Sequence, residues 1–377
     1  MKWDRQSQRA RAALKRWRRY VRLGLRLLLP SRVEARRAAR FRQSGLFDRD
    51  WYLSCYPRLP WICRCMPERH YVLVGEQAGL CPSAKFSPRA YRHLNPEISL
   101  EASEFEHYLE NGRTSGALTL DLPAGDAAPV FPPVPPGPHP SARFAVVLHL
   151  HYRDMWEEFS SRLRQSGLDL DLFVIITAPF TESDAATAER IRADFPKAQL
   201  LTMPNHGRDI LPFLHLARSG VLAPYEAVLK LHSKRSPHRE DGEAWRDALV
   251  SGVLGSGEKL QASLERFLTH PKAGIWVADG HRLSGIGWWG PNRARAGLLL
   301  NRIGINLPNN LSFAAGSIYW LSRAMVARLA ALPIDASDFE PEMGQVDGTT
   351  AHALERAFGE ITRASDLEIF ESHELMS

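Results

Sequence analysis

Between residues 142 and 377 short apolar runs alternate with stretches of helical periodicity, and this limits the fold more than any other feature of the chain. Phe144–Leu150, Leu172–Thr177, Gln199–Met203, Ala227–Leu231 and Gly274–Ala278 read as strands. Met155–Gly167, Ser183–Phe195, Ile210–Ser219 and Gly257–Thr269 read as the helices between them. Strand and helix in alternation predict an α/β domain with a doubly wound, mainly parallel sheet and helices on both faces. Ligands of such sheets bind beyond the carboxyl ends of the strands. The residues that follow the runs are therefore the place to look: His149, His151 and Tyr152; Thr177; Asn205 to Asp209; His232 to Arg235; Asp279 to Arg282.

The richest of these places is Asn205 to Ser236. It opens with the turn Asn205-His206-Gly207-Arg208-Asp209, continues through an apolar helical run, and ends on a strand that delivers Lys230, His232 and Lys234. Period-two alternation puts those three on one side of an extended chain. Two ammonium groups and an imidazole on one face are costly to bury without an anion, and a sugar-nucleotide pyrophosphate would supply one. A solvated strand end is the plainer reading of the same residues.

Further along, Phe313–Leu321 breaks at Ala315-Gly316-Ser317, where small residues would let a ligand or backbone come close. Asp347 stands where a helix N-cap is expected, and His352, Glu355 and Arg356 follow at helical spacing. A carboxylate at a helix start with a histidine on its first turns offers a general base for a sugar hydroxyl; the alternative is a capped helix with an internal His–Glu pair. Trp288-Trp289-Gly290-Pro291-Asn292 offers rings to stack on a sugar, or to close the core. Trp245 and Arg246 lie in a Gly-x-x-Trp-Arg segment. Asp169 and Asp171 imitate a metal-binding Asp-x-Asp but precede their strand, which is the wrong end. The His149–His151 pair lacks a third ligand at a fixed spacing, so no metal site is assigned. No P-loop or nucleophile-elbow pattern is present.

Charge divides the chain. Residues 1–42 hold fifteen Lys+Arg against Asp4 and Glu34, a net of +13, so the other residues carry −7 of the overall +6. An acidic body argues against a general nucleic-acid surface. Within the basic arm, Leu14, Trp17, Val21, Leu25 and Leu28 form one helical stripe that Pro30 and Ser31 end. An apolar stripe with a Trp on a cationic helix predicts an interfacial anchor for anionic lipid; docking on the acidic body and a nucleic-acid arm are the alternatives. No signal peptide and no run of 18 apolar residues is evident, which predicts a cytoplasmic, peripherally attached protein with reduced cysteines.

Residues 43–120 contain two similar segments. Phe47, Trp51-Tyr52 and Tyr56-Pro57 recur as Phe86, Ala90-Tyr91 and Asn95-Pro96, and His70-Tyr71 with Gly75 and Gly79 recur as His107-Tyr108 with Gly112 and Gly116. The expectation is a small all-α module of two repeats, its histidines packing residues. Cys55, Cys63, Cys65 and Cys81 all fall here, without a usual zinc spacing. Residues 121–141, rich in Pro, Gly and Ala, read as a linker leading to a domain over 142–377.

Five ordered motifs carry a resemblance over roughly residues 143–367: Asn205 to Ile210, Lys230 to Ser236, Gly242 to Arg246, Ala315 to Trp320 and Asp347 to Arg356. Together they resemble the rhamnan synthesis protein F family, associated with bacterial surface polysaccharide synthesis and treated as glycosyltransferases. The two N-terminal segments likewise resemble repeats found beside bacterial polysaccharide glycosyltransferases. The resemblance implies a GT-A-like domain using a nucleotide-sugar donor and a lipid-linked glycan acceptor. It implies Asp347 as the base with His352 as its orienting partner or substitute. Asn205, Gly207, Arg208, Asp209, Lys230, His232 and Lys234 would lie toward the donor. Trp245, Arg246, Trp289, Asn292, Gly316 and Glu355 would lie toward the acceptor. The Asp-x-Asp of metal-dependent GT-A enzymes is replaced by Lys230-Leu231-His232, so cations of the protein would stabilise the leaving diphosphate, with Mg²⁺ or Mn²⁺ left as the alternative. A non-catalytic glycan-binding or scaffold subunit is the competing expectation.

Overall fold

The computed structural model of the chain describes residues 23–377, except 96–97, 100–101, 116, 118, 121–122, 137–139, 234–241, 256, 346 and 377. The chain divides into two compact units, Met1–Asp121 and Leu122–Ser377.

The first unit is built from short helices. A helix over residues 23–28 is followed by Arg32–Gln43, which starts on a reciprocal Ser31–Glu34 capping box. Phe41 at its far end packs on Tyr71 and Phe105, with ring centroids 4.6 Å and 3.6 Å away. Two stretches share one arrangement. Tyr52 OH meets His70 Nδ1 at 3.0 Å, and the chain after His70 widens into a π-helical turn, Tyr71–Gly75. Tyr91 OH meets His107 Nδ1 at 2.9 Å, and Tyr108–Gly112 is again a π turn. The phenol oxygens press on Gly75 and Gly112 so closely that a Cβ would come within 2.8 Å and 2.1 Å of them, so neither position has room for a side chain. Cys55, Cys63 and Cys81 are buried and Cys65 is exposed, all as free thiols.

The second unit is mixed α/β. Its strands are β1 (Phe144–Leu150), β2 (Leu170–Thr177), β3 (Gln199–Met203), β4 (Ala227–His232), β5 (Ala273–Val277), β6 (Arg282–Gly285), β7 (Leu311–Ala314), β8 (Tyr319–Ser322) and β9 (Glu368–Glu371). Seven of them form one sheet in the order β3-β2-β1-β4-β8-β5-β9. All run in one direction except β8, which is antiparallel to both β4 and β5. β6 and β7 make a separate antiparallel pair. β1 and β4 are buried along their whole length, as strands covered on both faces must be. The helix Ile210–Arg218 is apolar nearly all round for the same reason.

Chain order reverses at the centre of this sheet. From β1 the chain steps outward to β2 and β3, then returns to place β4 on the other side of β1. A crevice therefore opens beyond the carboxyl ends of β1 and β4. Because β8 runs the other way, the loop that enters it, Ala315–Ile318, reaches the same edge.

One expectation is revised. The Pro-rich stretch read as a linker is laid on the second unit where it is described: Phe131 and Val134 pack on the core, His215 Nε2 donates to Pro132 O at 2.8 Å, and Ala124 N donates to Phe339 O at 2.7 Å. The break read at Ala315-Gly316-Ser317 falls between two strands in different sheets, with Gly316 and Ser317 both at positive φ. Among the described residues no helix is long and apolar enough to cross a membrane.

Candidate functional site

Lys230 and His232 point from β4 to the same side, where the loop entering β8 meets them. The Lys230 ammonium pairs with Asp209 and donates to Ser317 Oγ at 2.7 Å and Ser317 O at 3.2 Å. Ser317 Oγ in turn donates to Asp209 Oδ2 at 2.7 Å. An ammonium has three protons, and all three have acceptors within the protein. Lys230 is only 2% exposed and lies near the rings of Phe213 and Tyr319. This corrects the expectation that Lys230 holds a diphosphate: it braces the turn before Ile210–Arg218 against the entry to β8. Burial alone would raise the Asp209 carboxyl, but the His232 and Lys230 charges hold it well below the usual carboxylate range.

His232 Nε2 donates to Gly316 O at 2.9 Å, which leaves Nδ1 facing Asp209 Oδ1 at 3.8 Å. His149 stands beside it in register on β1, with Nε2 on Thr177 Oγ1 at 3.0 Å. Burial pushes the His149 imidazole down to about 3, so it is neutral. Lys234 lies outside the described residues.

The Asn205–Asp209 turn is held from the other side by the segment before the last long helix. Gly207 and Arg208 both take positive φ, and a Cβ on Gly207 would meet Leu211 at 2.4 Å. His206 Nε2 donates to Ala336 O at 2.8 Å, and Arg208 bonds the carbonyl of Gln345. Arg208 Nε has no hydrogen-bond acceptor among the described residues and lies 3.6 Å from Glu342 Oε2. Asn205 is exposed. Glu342 did not stand out in the sequence, since Glu-Pro-Glu-Met-Gly has no periodicity to read. Burial raises its carboxyl against the pull of Arg208, and the Asp209 charge adds to the rise.

Asp347 is the second centre. Its Oδ1 accepts from Asn292 Nδ2 at 2.8 Å and Gly348 N at 3.0 Å, with Arg356 at 3.4 Å. Its Oδ2 accepts no hydrogen bond from a described residue, and the side chain is 34% exposed. Burial works against its charge, but Arg356, His352, Asn292 and the Gly348 N–H outweigh it and keep the carboxyl below its ordinary value. Asp347 is not the helix cap: Thr349 caps Thr350–Ala364, its N–H donating to His352 Nδ1 at 3.4 Å to close the capping box and its hydroxyl meeting the same nitrogen at 2.8 Å. The imidazole, pushed down to about 4 mainly by burial, is neutral at physiological pH.

Gly316 links the centres, its carbonyl taken by His232 and its N–H donating to Glu355 Oε1 at 2.7 Å. The open side expected for a ligand is filled by Leu249 and Trp245, which would lie 2.6 Å and 3.0 Å from a Cβ. Four acceptor-side expectations change in the same way. Trp289 is fully buried with Nε1 on Pro308 O at 3.1 Å, so no sugar reaches its face. Asn292 is fully buried and orients Asp347. Glu355 clamps Gly316, and Arg246 reaches Glu158 at 3.1 Å on the helix Trp156–Gln165. Ser317 is an addition, since Ala-Gly-Ser suggested small size and not its hydroxyl.

A divalent cation at the strand ends would need carboxylates. Asp209 is taken by an ammonium and a hydroxyl, and no described group of three or more His, Cys, Asp or Glu side chains is disposed to hold a metal ion.

Residues 131–367, spanning both centres, match the family described as Rhamnan synthesis protein F. The chain belongs to the rhamnan synthesis protein F family. Among curated proteins it is similar to the uncharacterized protein WxcX of Xanthomonas campestris pv. campestris, 38% identical over 221 residues in one strain and 37% in strain B100. The match takes in 58% of this chain and 31% of each relative, so the chain spans about a third of the length of the curated relatives it matches. Family membership ties the Asp209 and Asp347 centres to a protein group named for polysaccharide synthesis.

Proposed function

We propose that this chain is a glycosyltransferase on a GT-A-like fold, moving a sugar, rhamnose by the family's name, from a nucleoside-diphosphate donor to a lipid-linked glycan in bacterial surface polysaccharide synthesis. The observation that carries the reading is Asp347: three donors gather on one oxygen while the other stays open. That carboxylate is ionised, fixed in direction and able to accept a hydroxyl proton, as a general base must be. His352 acts as its neutral neighbour. The sheet reversal at β1 and β4 supports a donor lying across the nearby crevice. With Lys230 committed internally, Arg208, beside Glu342 at 3.6 Å, is the cation of the Asn205–Asp209 turn that would face a leaving diphosphate. The work is done on the cytoplasmic side, with the chain apposed to the membrane that holds its acceptor.

A second reading, a non-catalytic glycan-binding or scaffold subunit, draws on the internal pairing of Lys230, Asp209 and His232. Thermal-shift measurements on the full chain against nucleoside-diphosphate sugars, with and without Mn²⁺, separate the two. A rise in melting temperature with one nucleotide class, equal in both conditions, supports the metal-independent transferase. A flat panel from well-folded protein favours the scaffold.

A further inference from the structure

Of the eleven large hydrophobic side chains exposed among the described residues, five belong to the first unit: Leu25, Leu28, Leu29, Val33 and Trp61. Leu29 and Trp61 are each 79% exposed. Leu25, Leu28 and Leu29 share one side of the helix over 23–28 and its last turn, by their spacing of three and four. That helix is docked on the rest of the unit. Leu27 is fully buried, Arg69 bonds Leu27 O at 2.7 Å, and Gly24 abuts Ile62, the neighbour of Trp61. The apolar side chains thus project from a folded corner.

The surrounding charge is mainly positive, with Glu34 paired to Arg26. Arg32 and Arg36 are exposed and make no ion pair with another described residue. Residues 1–22 add nine Lys+Arg against Asp4. A second copy would bring the same cationic face against itself, which is repulsive. Leu and Trp at the level of lipid headgroups, with arginine on phosphates, make a favourable match.

We propose that this corner is a bilayer-docking surface, inserting Leu28, Leu29 and Trp61 at the headgroup–acyl boundary of an anionic leaflet while Arg32 and Arg36 engage the phosphates. It rests on the membrane apposition proposed above and deepens it, making the docked end of the basic arm and Trp61 beyond it parts of one anchor. The test is flotation of the full chain with phosphatidylcholine vesicles containing or lacking phosphatidylglycerol. Wild type floats with the anionic vesicles and is released by salt. Leu29→Ser/Trp61→Ser and Arg32→Glu/Arg36→Glu, all at exposed positions, keep the wild-type melting temperature and lose binding on the order of tenfold. If both double variants float as wild type while removal of residues 1–22 abolishes binding, the corner is idle and the proposal falls. If wild type itself does not float, membrane apposition fails with it. If the variants change only the sedimentation coefficient, the face is an interface between copies and the proposal is wrong.

Discussion

A carboxylate with three donors on one oxygen has lost its freedom to rotate, and at Asp347 that is the residue's main distinction. Asp347→Asn keeps the shape and the Asn292, Gly348 and Arg356 neighbours but gives up the basic oxygen. Transfer should fall by roughly 10²–10⁴-fold with the melting temperature little changed; near-wild-type turnover would remove Asp347 from the chemistry. Lys230→Met makes the opposite kind of test. It leaves Asp209 buried beside a hydroxyl without its cation, a change that costs roughly 3–5 kcal/mol in comparable pairs. Urea denaturation reads that loss, and Lys230→Met/Asp209→Leu should recover much of it. His149 sets a pH limit. Its folded-state value of about 3 lies below the ordinary value of about 6.5. Between those values the unfolded chain takes up a proton that the folded chain refuses, so stability is full above about 6.5 and falls as pH drops toward 3. The slope is about 1.4 kcal/mol per pH unit for this one group. His149→Gln should flatten that part of a melting-temperature profile; an unchanged profile would mean that His149 is not the sensor.

The elements were mostly legible in the sequence. The strands at 144, 170, 199, 227 and 273 and the helices read at 155, 183, 210 and 257 fall within two residues or so of where apolar periodicity puts them, but the helix Gly242–Val253 was not read. Direction was not legible: β8 is an apolar run like the others, and nothing in its residues marks it as antiparallel. The Asp347-Gly348-Thr349 start was misread for a related reason, since Asp and Thr both cap helices. Gly348, at φ 86°, turns the chain between them, so the cap falls on Thr349 and Asp347 is released to face Asn292. Alternation correctly put Lys230 and His232 on one side of β4. It could not tell that the side is closed by Ser317 and Gly316, because that contact joins residues more than 80 apart. Gly316 sits where these elements pack closely, against Leu249 and Trp245. Gly316→Ala forces a side chain to φ 95° and into Leu249 and Trp245, which should cost roughly 1–3 kcal/mol by urea midpoint and loosen the His232 bond. A variant as stable as wild type would show that the loop yields.

At the scale of the whole molecule, two units of different character share the chain, one of short helices around aromatic–histidine pairs and one a large sheet. The sheet has a history in time as well as a shape. Its first four strands come from residues 144–232, but the neighbour that covers the far side of β4 is Tyr319–Ser322. On a ribosome adding about 5–20 residues per second, β4 waits for seconds as a bare edge, open to pairing with any other chain. The reversed strand is thus the closing piece of the sheet, and a nascent chain before its arrival is a client for chaperones. Chains ended at residue 310 should pellet when translated without chaperones while the full chain stays in solution. If both stay soluble, β4 is protected by something other than β8.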